Sequence, residues 1–288
     1  MTFDEFEPWM RLWDLQPDGE PFVNLYNGRV SSRLAPVVHR GLPAMLKIAG
    51  GEEERLGAAL MAWFEGDGAV RVLAMDDPAI LLERAAGPRS LAGMAREGHD
   101  DEATLILCRV LARVHAPRAT APPVSLVPLP VWFRALPAAA ERHGGVLEAA
   151  WGVAQSLLAS PRDERPLHGD LHHDNVLDAG SRGWLAIDPK GLIGERGFDY
   201  ANIVCNPDID TAAAPGRLMR RARIIVAEAD LELERYLGWV LAYAGLSASW
   251  TLGEGADASP ALLIARLAVA ELGVELDGGR RGATHARL

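Results

Sequence analysis

Long apolar runs are missing from this 288-residue chain, although 49% of its residues are hydrophobic. A membrane-spanning helix needs roughly 18–20 consecutive apolar residues, and the apolar stretch Ala261–Val274 is interrupted by Arg266 and Glu271. The amino terminus, Met1–Glu7, is acidic, whereas a signal peptide has a basic start followed by an apolar stretch. We therefore expect a soluble protein with no membrane partner.

Cysteine and basic charge are both scarce. Only Cys108 and Cys205 occur, which gives neither a metal-binding spacing nor a disulfide framework and favours a reducing, cytoplasmic setting. The formal net charge is −10 at pH 7, whereas nucleic-acid phosphates require a basic surface, so no nucleic-acid partner is expected. The charge is compatible with a cationic small-molecule substrate but does not require one. Nothing in the sequence indicates an obligate protein partner.

Glycine-rich nucleotide-binding motifs are absent as well. The chain contains neither G-x-G-x-x-G nor G-x-x-x-x-G-K-[ST], so the sequence supports neither a Rossmann site nor a P-loop. It does contain the run His168-Gly169-Asp170-Leu171-His172-His173-Asp174-Asn175, with Asp188 thirteen positions after Asn175. Protein kinases use a similar order of catalytic Asp, magnesium-binding Asn and second magnesium-binding Asp, in H-R-D-x-x-x-x-N and D-F-G.

This spacing predicts the parts of a phosphotransferase. Asp170 would accept a hydrogen bond from a substrate hydroxyl and take its proton. Asn175 and Asp188 would offer the hard oxygen ligands that Mg²⁺ prefers. Lys47, inside the apolar segment Ala44–Ala49, would reach the α- and β-phosphates of ATP. A lone strand lysine could equally face solvent; the acidic motif downstream is what favours a functional lysine.

Two other interpretations of the motif remain open. The first is a metal cluster resembling a hydrolase site, although such a site would use neither Asn175 at this spacing nor a strand lysine. Its ligands would be His168, His172, His173, Asp170 and Asp174. The second is a catalytically silent kinase-like binding module. Such a module would not need to retain all of Lys47, Asp170, Asn175 and Asp188.

Hydrophobic periodicity divides the chain into a β-rich first part and a helical remainder. The β patterns cover Pro21–Arg29, Leu34–Arg40, Ala44–Ala49, Val70–Met75 and Ala79–Glu83, and one helical pattern covers Glu52–Phe64. Later helical patterns cover Asp101–His115, Trp132–Arg142, Leu147–Leu158, Arg217–Ala229, Leu231–Trp250 and Pro260–Leu272. Pro117–Pro130 is predicted to be a loop, and His168–Asp188 to alternate turns with short strands.

The motif resembles that of the aminoglycoside phosphotransferases, because Gly169 replaces the kinase Arg and Pro189 replaces the Phe. From Lys47 to about Trp250 the chain resembles the streptomycin 6-phosphotransferase and hydroxyurea phosphotransferase branch of that family. The supporting runs are Pro43–Lys47, Leu81–Arg84, Leu167–Leu177, Gly183–Pro189 and, most specifically, Gly191–Asn202. The resemblance implies ATP, Mg²⁺ and transfer to the streptidine 6-hydroxyl of streptomycin. Hydroxyurea or another hydroxylated small molecule is the alternative acceptor.

The resemblance also implies an α+β, bilobal, protein-kinase-like fold. A small N-lobe with an antiparallel sheet and one helix would span residues 1–84 and bind the nucleotide. A larger, mainly helical C-lobe would span residues 85–276, and residues 277–288 are expected to form a mobile tail.

Further nucleotide contacts follow from the same resemblance. Glu54 would hold Lys47 in place, although Glu52 and Glu53 lie beside it. The segment Gly28–Ser32 would cover the phosphates through small polar residues, Ser31 and Ser32 among them, and backbone N–H groups. The run Leu82–Ala85 resembles a hinge, in which backbone groups of Glu83 and Ala85 would bond adenine; a plain connector would look similar.

Carboxylates are the expected partners of the guanidinium groups of streptomycin. The candidates in the second lobe are Glu195, Asp208 and Asp210, with His172 as a further residue lining the site. Asp199 is expected to bond backbone of the catalytic loop, in preference to substrate. Trp250 is expected in the core or at the rim of the site, with an aromatic surface for a guanidinium as the alternative.

Overall fold

The structure, a computed structural model, describes residues 2–26, 29–122, 125–274 and 276. The strands are β1 (Leu15–Pro17), β2 (Phe22–Tyr26), β3 (Arg29–His39), β4 (Leu42–Ala49), β5 (Val72–Asp76), β6 (Ala79–Glu83), β7 (Val127–Pro128), β8 (Glu164–Leu167), β9 (Val176–Asp178), β10 (Trp184–Ala186) and β11 (Leu192–Glu195). The helices are α1 (Glu7–Leu12), α2 (Glu52–Trp63), α3 (Leu91–Arg96), α4 (Asp100–Val114), α5 (Leu129–Trp132), α6 (Leu136–His143), α7 (Val146–Ala159), α8 (Gly197–Val204), α9 (Ile209–Ala212), α10 (Arg217–Ala229), α11 (Leu233–Gly253) and α12 (Ser259–Leu272).

An antiparallel sheet in the order β1-β3-β4-β6-β5, with β2 also paired to β3, forms the first lobe. Side chains alternate between the two faces of a strand. In β4, Ala44, Leu46 and Ile48 therefore share one face, where they pack in a core with Phe6. Lys47 points to the opposite face, where α2 follows β4. This alternation directs a lysine from an apolar strand towards the second lobe.

Helix α2 is held close to the second lobe by two glycines. A Cβ at Gly57 would collide with the Pro189 carbonyl oxygen. A Cβ at Gly191, which has a φ of 69°, would lie 2.9 Å from the Leu56 Cβ. The inner face of α2, including Leu60 and Met61, is buried in the main core of the protein. Helix α2 is therefore fixed against Asp188-Pro189-Lys190-Gly191, which brings its acidic first turn to the cleft.

The second lobe is built around α11, whose side chains are buried over most of its length. Helices α7, α8 and α12 pack against α11, and α10 packs against α4. Two small sheets lie beside this bundle: the antiparallel pair β9–β10, and β11 flanked by antiparallel β8 and parallel β7. The loops between these short strands carry the His168–Asn175 motif and Asp188.

The predicted α+β class is confirmed, and so are the helical patterns that became α2, α4, α7, α10, α11 and α12. The predicted helix Trp132–Arg142 is wrong, because α5, a 3₁₀ turn at Phe133–Ala135 and α6 replace it. Pro130 and Pro137 lie in the first turns of α5 and α6, where proline is tolerated, whereas inside one long helix each would disrupt a hydrogen bond.

Several short elements were missed by the sequence patterns. They are the 3₁₀ turn Phe3–Phe6, the strands β1, β7, β8 and β11 and the helices α1, α3, α8 and α9. Strand β7 and the start of α5 fall within Pro117–Pro130, which was predicted to be a loop throughout. The predicted tail, residues 277–288, lies outside the described residues, and the lobe boundary at residue 84 stays a prediction. Among the helices of the described ranges, none is both long enough and apolar enough to span a membrane.

Candidate active site

A cleft of about 1180 Å³ runs between the two lobes and across the end of α11. At one end it is lined by the β2–β3 hairpin and by Gly50–Glu54 at the start of α2. The His168–Asn175 motif and Asp188–Lys190 line its middle. The far end is lined by Trp132, Tyr243, Trp250 and the α11–α12 connection.

Lys47 lies between two carboxylates. Its Nζ forms ion pairs with Glu54 of α2 and with Asp188, and its side chain is 9% exposed. Burial raises the pKa of Glu54 above its ordinary value, despite the nearby Lys47 ammonium. Burial opposes ionisation of Asp188 too, but Lys47 and Lys190 outweigh it and lower the pKa of Asp188. The structure thus brings together Lys47, Glu54 and Asp188 as one charge network, with Glu54 rather than Glu52 or Glu53 as the partner of Lys47.

Asp170 is oriented by two asparagines. Asn202 of α8 donates from Nδ2 to the Asp170 Oδ1 at 3.0 Å, and Asn206 in turn donates to the Asn202 Oδ1 at 2.8 Å. Asn175 donates from Nδ2 to the Asp170 carbonyl oxygen at 2.8 Å. The bond from Asn202 orients the Asp170 carboxylate and the bond from Asn175 holds its backbone, beside the open cleft, where the Asp170 side chain is 31% exposed.

The backbone before Asp170 is anchored by Asp199. Asp199 accepts from the N–H of His168 at 2.8 Å and from the N–H of Gly169 at 2.6 Å, and it lies 2.8 Å from the His115 Nε2. The expected scaffold role of Asp199 is confirmed. His168 is buried and bonds the Ile187 carbonyl oxygen through Nε2 at 2.8 Å. Burial lowers the pKa of His168, so it acts as a neutral link between the two motif loops.

Asn175 and Asp188 fit a magnesium ion shared with a nucleotide. The Ile187 N–H donates to the Asn175 carbonyl oxygen at 2.9 Å, so the two loops lie side by side. Because Asn175 uses Nδ2 to bond Asp170, its Oδ1 is left as an acceptor. Asp188 has a φ of 63°, an uncommon conformation that the surrounding loop imposes. Magnesium is commonly held by one or two carboxylates plus substrate phosphates, and this donor set matches that pattern.

The hydrolase interpretation loses its support. Within the described ranges, no group of three or more His, Cys, Asp and Glu side chains is placed to hold a metal ion. His172 lines the cleft, as predicted, whereas His173 is buried 3.4 Å from Arg221. Burial, together with Arg221, lowers the pKa of His173 to about 2, so it is neutral and packs inside the lobe.

The predicted nucleotide contacts fall into two groups. Ser31 lines the cleft, whereas Ser32 is completely buried in β3 and does not line it, so its predicted phosphate contact is wrong. Gly28 lies outside the described residues. The Glu83 N–H already donates to the Arg71 carbonyl oxygen at 3.0 Å, and the adenine contact of Glu83 stays a prediction. Ala85 is half-buried against the main core, and its adenine contact stays a prediction.

The three predicted substrate carboxylates are not part of the cleft wall. Glu195 is 4% exposed and accepts from Arg235 at 2.7 Å and from the Trp239 Nε1 at 2.8 Å, so it is an internal structural group. Asp208 caps α9 by accepting from the Thr211 N–H and pairs with Arg96 at 2.8 Å. These partners lower the pKa of Asp208 to about 2. Asp210 is exposed and does not line the cleft.

Other acidic and aromatic residues occupy the place predicted for those carboxylates. Glu254 and Asp257, at the end of α11 and just after it, line the far end of the cleft. Trp132 and Trp250 meet edge to face there, with ring centroids 5.4 Å apart. Glu254 and Asp257 could not be predicted from a motif, because Gly253–Asp257 contains none. The position of this segment after the long apolar helix was the one available signal. Asn202 and Lys190 were missed as well.

Comparison with known proteins gives one family. A family model described as aminoglycoside/hydroxyurea antibiotic resistance kinase matches residues 12–255. The chain is 50% identical to streptomycin 3''-kinase of Klebsiella pneumoniae over 251 residues, which are 85% of this chain and 92% of that protein. It is 34% identical to streptomycin 6-kinase of Streptomyces griseus over 284 residues, which are 90% of this chain and 85% of that protein.

A solved structure extends the comparison to the fold. It is a thermostable mutant of aminoglycoside phosphotransferase APH(4)-Ia in a ternary complex with ADP and hygromycin B. It superimposes with a TM-score of 0.61, covering 94% of this chain and 98% of that chain at 13% identity. The predicted protein-kinase-like α+β fold is thereby confirmed.

Proposed function

The chain belongs to the aminoglycoside/hydroxyurea antibiotic resistance kinase family, and from that membership we propose that it phosphorylates streptomycin with ATP and magnesium. The observation that carries the proposal is the composition of the cleft. Residues proposed for phosphoryl transfer line its middle, and two carboxylates with a pair of tryptophans line its far end. A cationic, hydroxyl-bearing substrate matches both halves.

The 3''-hydroxyl is the acceptor that we favour. The resemblance of the motifs led us to expect the streptidine 6-hydroxyl, but the relative that is 50% identical is named a 3''-kinase, whereas the 6-kinase of Streptomyces griseus is 34% identical. The 3''-hydroxyl lies on the aminosugar ring, so this assignment would turn the streptidine guanidinium groups away from Asp170. Glu254 and Asp257 are then the carboxylates with which the guanidinium groups would form ion pairs.

The proposed chemistry is an in-line transfer. The substrate hydroxyl oxygen attacks the γ-phosphorus as the bond to the ADP oxygen breaks, and the hydroxyl proton passes to Asp170. Asn202 and Asn175 hold Asp170 in the orientation that this proton transfer needs. Lys47, ion-paired with Glu54, would bind the α- and β-phosphates. Magnesium bound at Asn175 and Asp188 would neutralise charge on the triphosphate.

A hydroxyurea kinase is the second candidate, because the family description includes that activity. The size of the cleft favours the larger acceptor. Small-molecule pockets usually measure about 300–1,000 Å³, and a cleft of about 1180 Å³ is large enough for a nucleotide together with an aminoglycoside. Hydroxyurea would leave the tryptophan-lined end without a partner.

The deciding experiment is a coupled ATP-consumption assay with streptomycin, a kanamycin-type aminoglycoside and hydroxyurea as separate acceptors. The phosphorylated product is then analysed by two-dimensional ³¹P–¹H NMR. We expect turnover with streptomycin and a phosphorus correlation to H3''. A correlation to H6 of streptidine would instead assign the 6-hydroxyl as the acceptor. Turnover with hydroxyurea alone would overturn the streptomycin proposal. Asp170→Asn is the negative control for contaminating kinases.

A further inference from the structure

Lys190, two residues after Asp188, has no role in the mechanism above, yet it lies at the centre of the cleft. Its Nζ is 3.6 Å from the Asp188 Oδ2, 3.9 Å from the Asp170 Oδ2 and 3.4 Å from the Glu53 Oε1. The side chain is 17% exposed, and the Lys190 N–H donates to the His168 carbonyl oxygen at 2.7 Å. The ammonium group is therefore held between the proposed proton acceptor and the proposed magnesium ligand.

We propose that Lys190 is a catalytic residue that binds the γ-phosphoryl group of ATP and stabilises it during transfer. This inference rests on the proposed phosphotransferase function. It assigns to this chain a second phosphate-binding lysine besides Lys47. The γ-phosphoryl group that moves from ATP to the acceptor, leaving ADP, has to pass between Asp170 and the proposed metal site, and the Lys190 ammonium group lies between them.

Composition supports a specific need for an ammonium group here. Of the 29 Lys and Arg residues in the chain, 27 are arginine, and Lys47 and Lys190 are the two lysines. Both lysines form an ion pair with Asp188. Guanidinium is planar and forked, whereas ammonium is a compact point charge that fits among several oxygens. A chain that otherwise uses arginine therefore has lysine at the two positions next to the proposed phosphate path.

The catalytic loop itself offers no lysine or arginine for this role, because Asp170–Asn175 contains neither. Among the described residues that line the cleft, the Lys and Arg side chains are Lys190 and Arg134, and Arg134 lies beside Trp132 at the far end. Lys190 is surrounded by the carboxylates of Asp188, Asp170 and Glu53, and a lysine side chain is ordinarily an ammonium ion at neutral pH.

Phosphoryl transfer needs the positive charge of Lys190 near the γ-phosphoryl oxygens while the group moves. The acceptor oxygen forms a bond to the γ-phosphorus, the bond to the ADP oxygen breaks with its electron pair, and the acceptor proton goes to Asp170. In the transition state, negative charge is spread over the three equatorial oxygens of the phosphoryl group, where fixed donors and positive charge stabilise it. Lys190 keeps all its protons and contributes hydrogen bonds and charge to those oxygens. A merely structural Lys190 would instead tether the second lobe to α2 through Glu53.

The first test separates γ-phosphate binding from tethering. We compare the wild type with Lys190→Met, Lys190→Arg and Glu53→Gln, measuring affinity for ADP and for the non-hydrolysable analogue AMP-PNP by calorimetry with magnesium. We expect Lys190→Met to weaken AMP-PNP binding about 10–100-fold, the range for one charge-assisted hydrogen bond, and ADP binding less than about threefold. Lys190→Arg should recover part of the loss. Glu53→Gln, which removes only the tether, should leave the ratio of the two affinities unchanged.

The second test observes the ammonium groups directly. Protein labelled with ¹⁵Nζ-lysine has two lysine ammonium sites, and Lys190→Arg assigns the signals. We expect the Lys190 signal to shift with AMP-PNP and to change little with ADP, while the Lys47 signal shifts with both. Equal responses of Lys190 to the two nucleotides, or equal losses of both affinities in Lys190→Met, would overturn the proposal. Neither readout contains an acceptor, so failure of the streptomycin assignment would leave this result unaffected.

Discussion

At the scale of single residues, the proposed chemistry depends on the few side chains that contact the Asp170 carboxylate. Asp170 has its Oδ1 bonded by Asn202, while Lys190 lies near its Oδ2. Removing the proton acceptor Asp170 should lower kcat directly, and removing Asn202 should lower kcat because Asp170 is then no longer held in position. Substitutions that keep the shape of Asp170 but change its chemistry are therefore the most informative.

Asp170→Asn should lower kcat by about 10²–10⁴-fold, the usual contribution of a positioned proton acceptor. The amide retains an oxygen that can accept from Asn202, so the loop should keep its conformation and nucleotide affinity should change little. Steady-state kinetics gives kcat, and calorimetry gives the affinity for AMP-PNP. A variant with close to normal turnover would show that Asp170 is not the proton acceptor.

Glu254→Gln and Asp257→Asn should each raise the KM for streptomycin about two- to fivefold, because ion pairs in open solvent contribute little individually. The KM for ATP should stay constant, and the effect on streptomycin should shrink at high salt, where charge is screened. Asp210→Asn is the matched control, since Asp210 is an exposed carboxylate outside the cleft. An equal rise in the control would mean that net charge, rather than position, attracts the substrate.

Sequence could predict residues whose spacing is fixed by the chemistry. Asp170, Asn175 and Asp188 fall on two adjacent loops, and Lys47 was recognisable because this acidic motif follows a lysine within an apolar strand segment. The predictions for Asp208 and Glu195 were wrong because the sequence gives no sign of whether a carboxylate will pair with an arginine of the same chain. Asp208 lies 112 positions from Arg96 and Glu195 lies 40 from Arg235, so these pairs become visible only after folding.

At the scale of elements, long amphipathic helices were predictable and short ones were not. Helix α10 matches its predicted limits, Arg217–Ala229, because thirteen residues give enough turns for the apolar stripe to repeat. Helix α8 was missed although it carries Asp199 and Asn202, because all eight of its residues are buried and no polar face marks its period. Helix α2 was predicted, but its contact with Pro189 through Gly57 depends on tertiary packing.

The packing of α10 on α4 depends on a buried charge cluster. Asp100 at the start of α4 accepts two hydrogen bonds of 2.8 Å from Arg217 and one of 2.9 Å from Arg220. Burial opposes its ionisation, but Arg217 and Arg221 outweigh it and lower the pKa of Asp100. The cluster therefore stabilises the folded state at pH values above the unfolded carboxyl pKa of about 3.9. That stability is lost as the pH falls through the lower folded pKa.

Asp100→Asn should lower the free energy of unfolding by about 3–5 kcal/mol at pH 7, since it leaves buried arginines without their counter-charge. Urea denaturation at pH 7 measures the loss, and repetition from pH 4 down to pH 2.5 should show the wild type and the variant converging. Asp101→Asn is the control, because Asp101 is 54% exposed and pairs with Arg220 at the surface. A pH-independent difference would assign the effect to packing rather than to charge.

At the scale of the whole molecule, several ion pairs connect the two lobes at and beside the cleft. Lys47, Lys190 and Arg182 pair with carboxylates from both sides of it, namely Glu54, Asp188, Glu53 and Glu83. A magnesium–nucleotide complex would add contacts to both lobes at once. The lobes should then unfold together at a higher temperature, and the gain should depend on the metal ligands.

Saturating Mg·AMP-PNP should raise the melting temperature of the wild type by about 5–10 °C. Ligand at 100 times its Kd adds about 2.7 kcal/mol to stability, and each kcal/mol shifts a protein of this size by about 2–4 °C. Asp188→Ala should lose most of this shift while keeping the smaller one produced by AMP-PNP with EDTA, because the phosphates still meet lysines without the metal. Scanning calorimetry of both proteins, with Asp210→Asn as a control, measures each shift. If Asp188→Ala gained as much from the magnesium complex as the wild type does, Asp188 would not hold the metal, and the common pairing of both lysines with Asp188 would need another explanation.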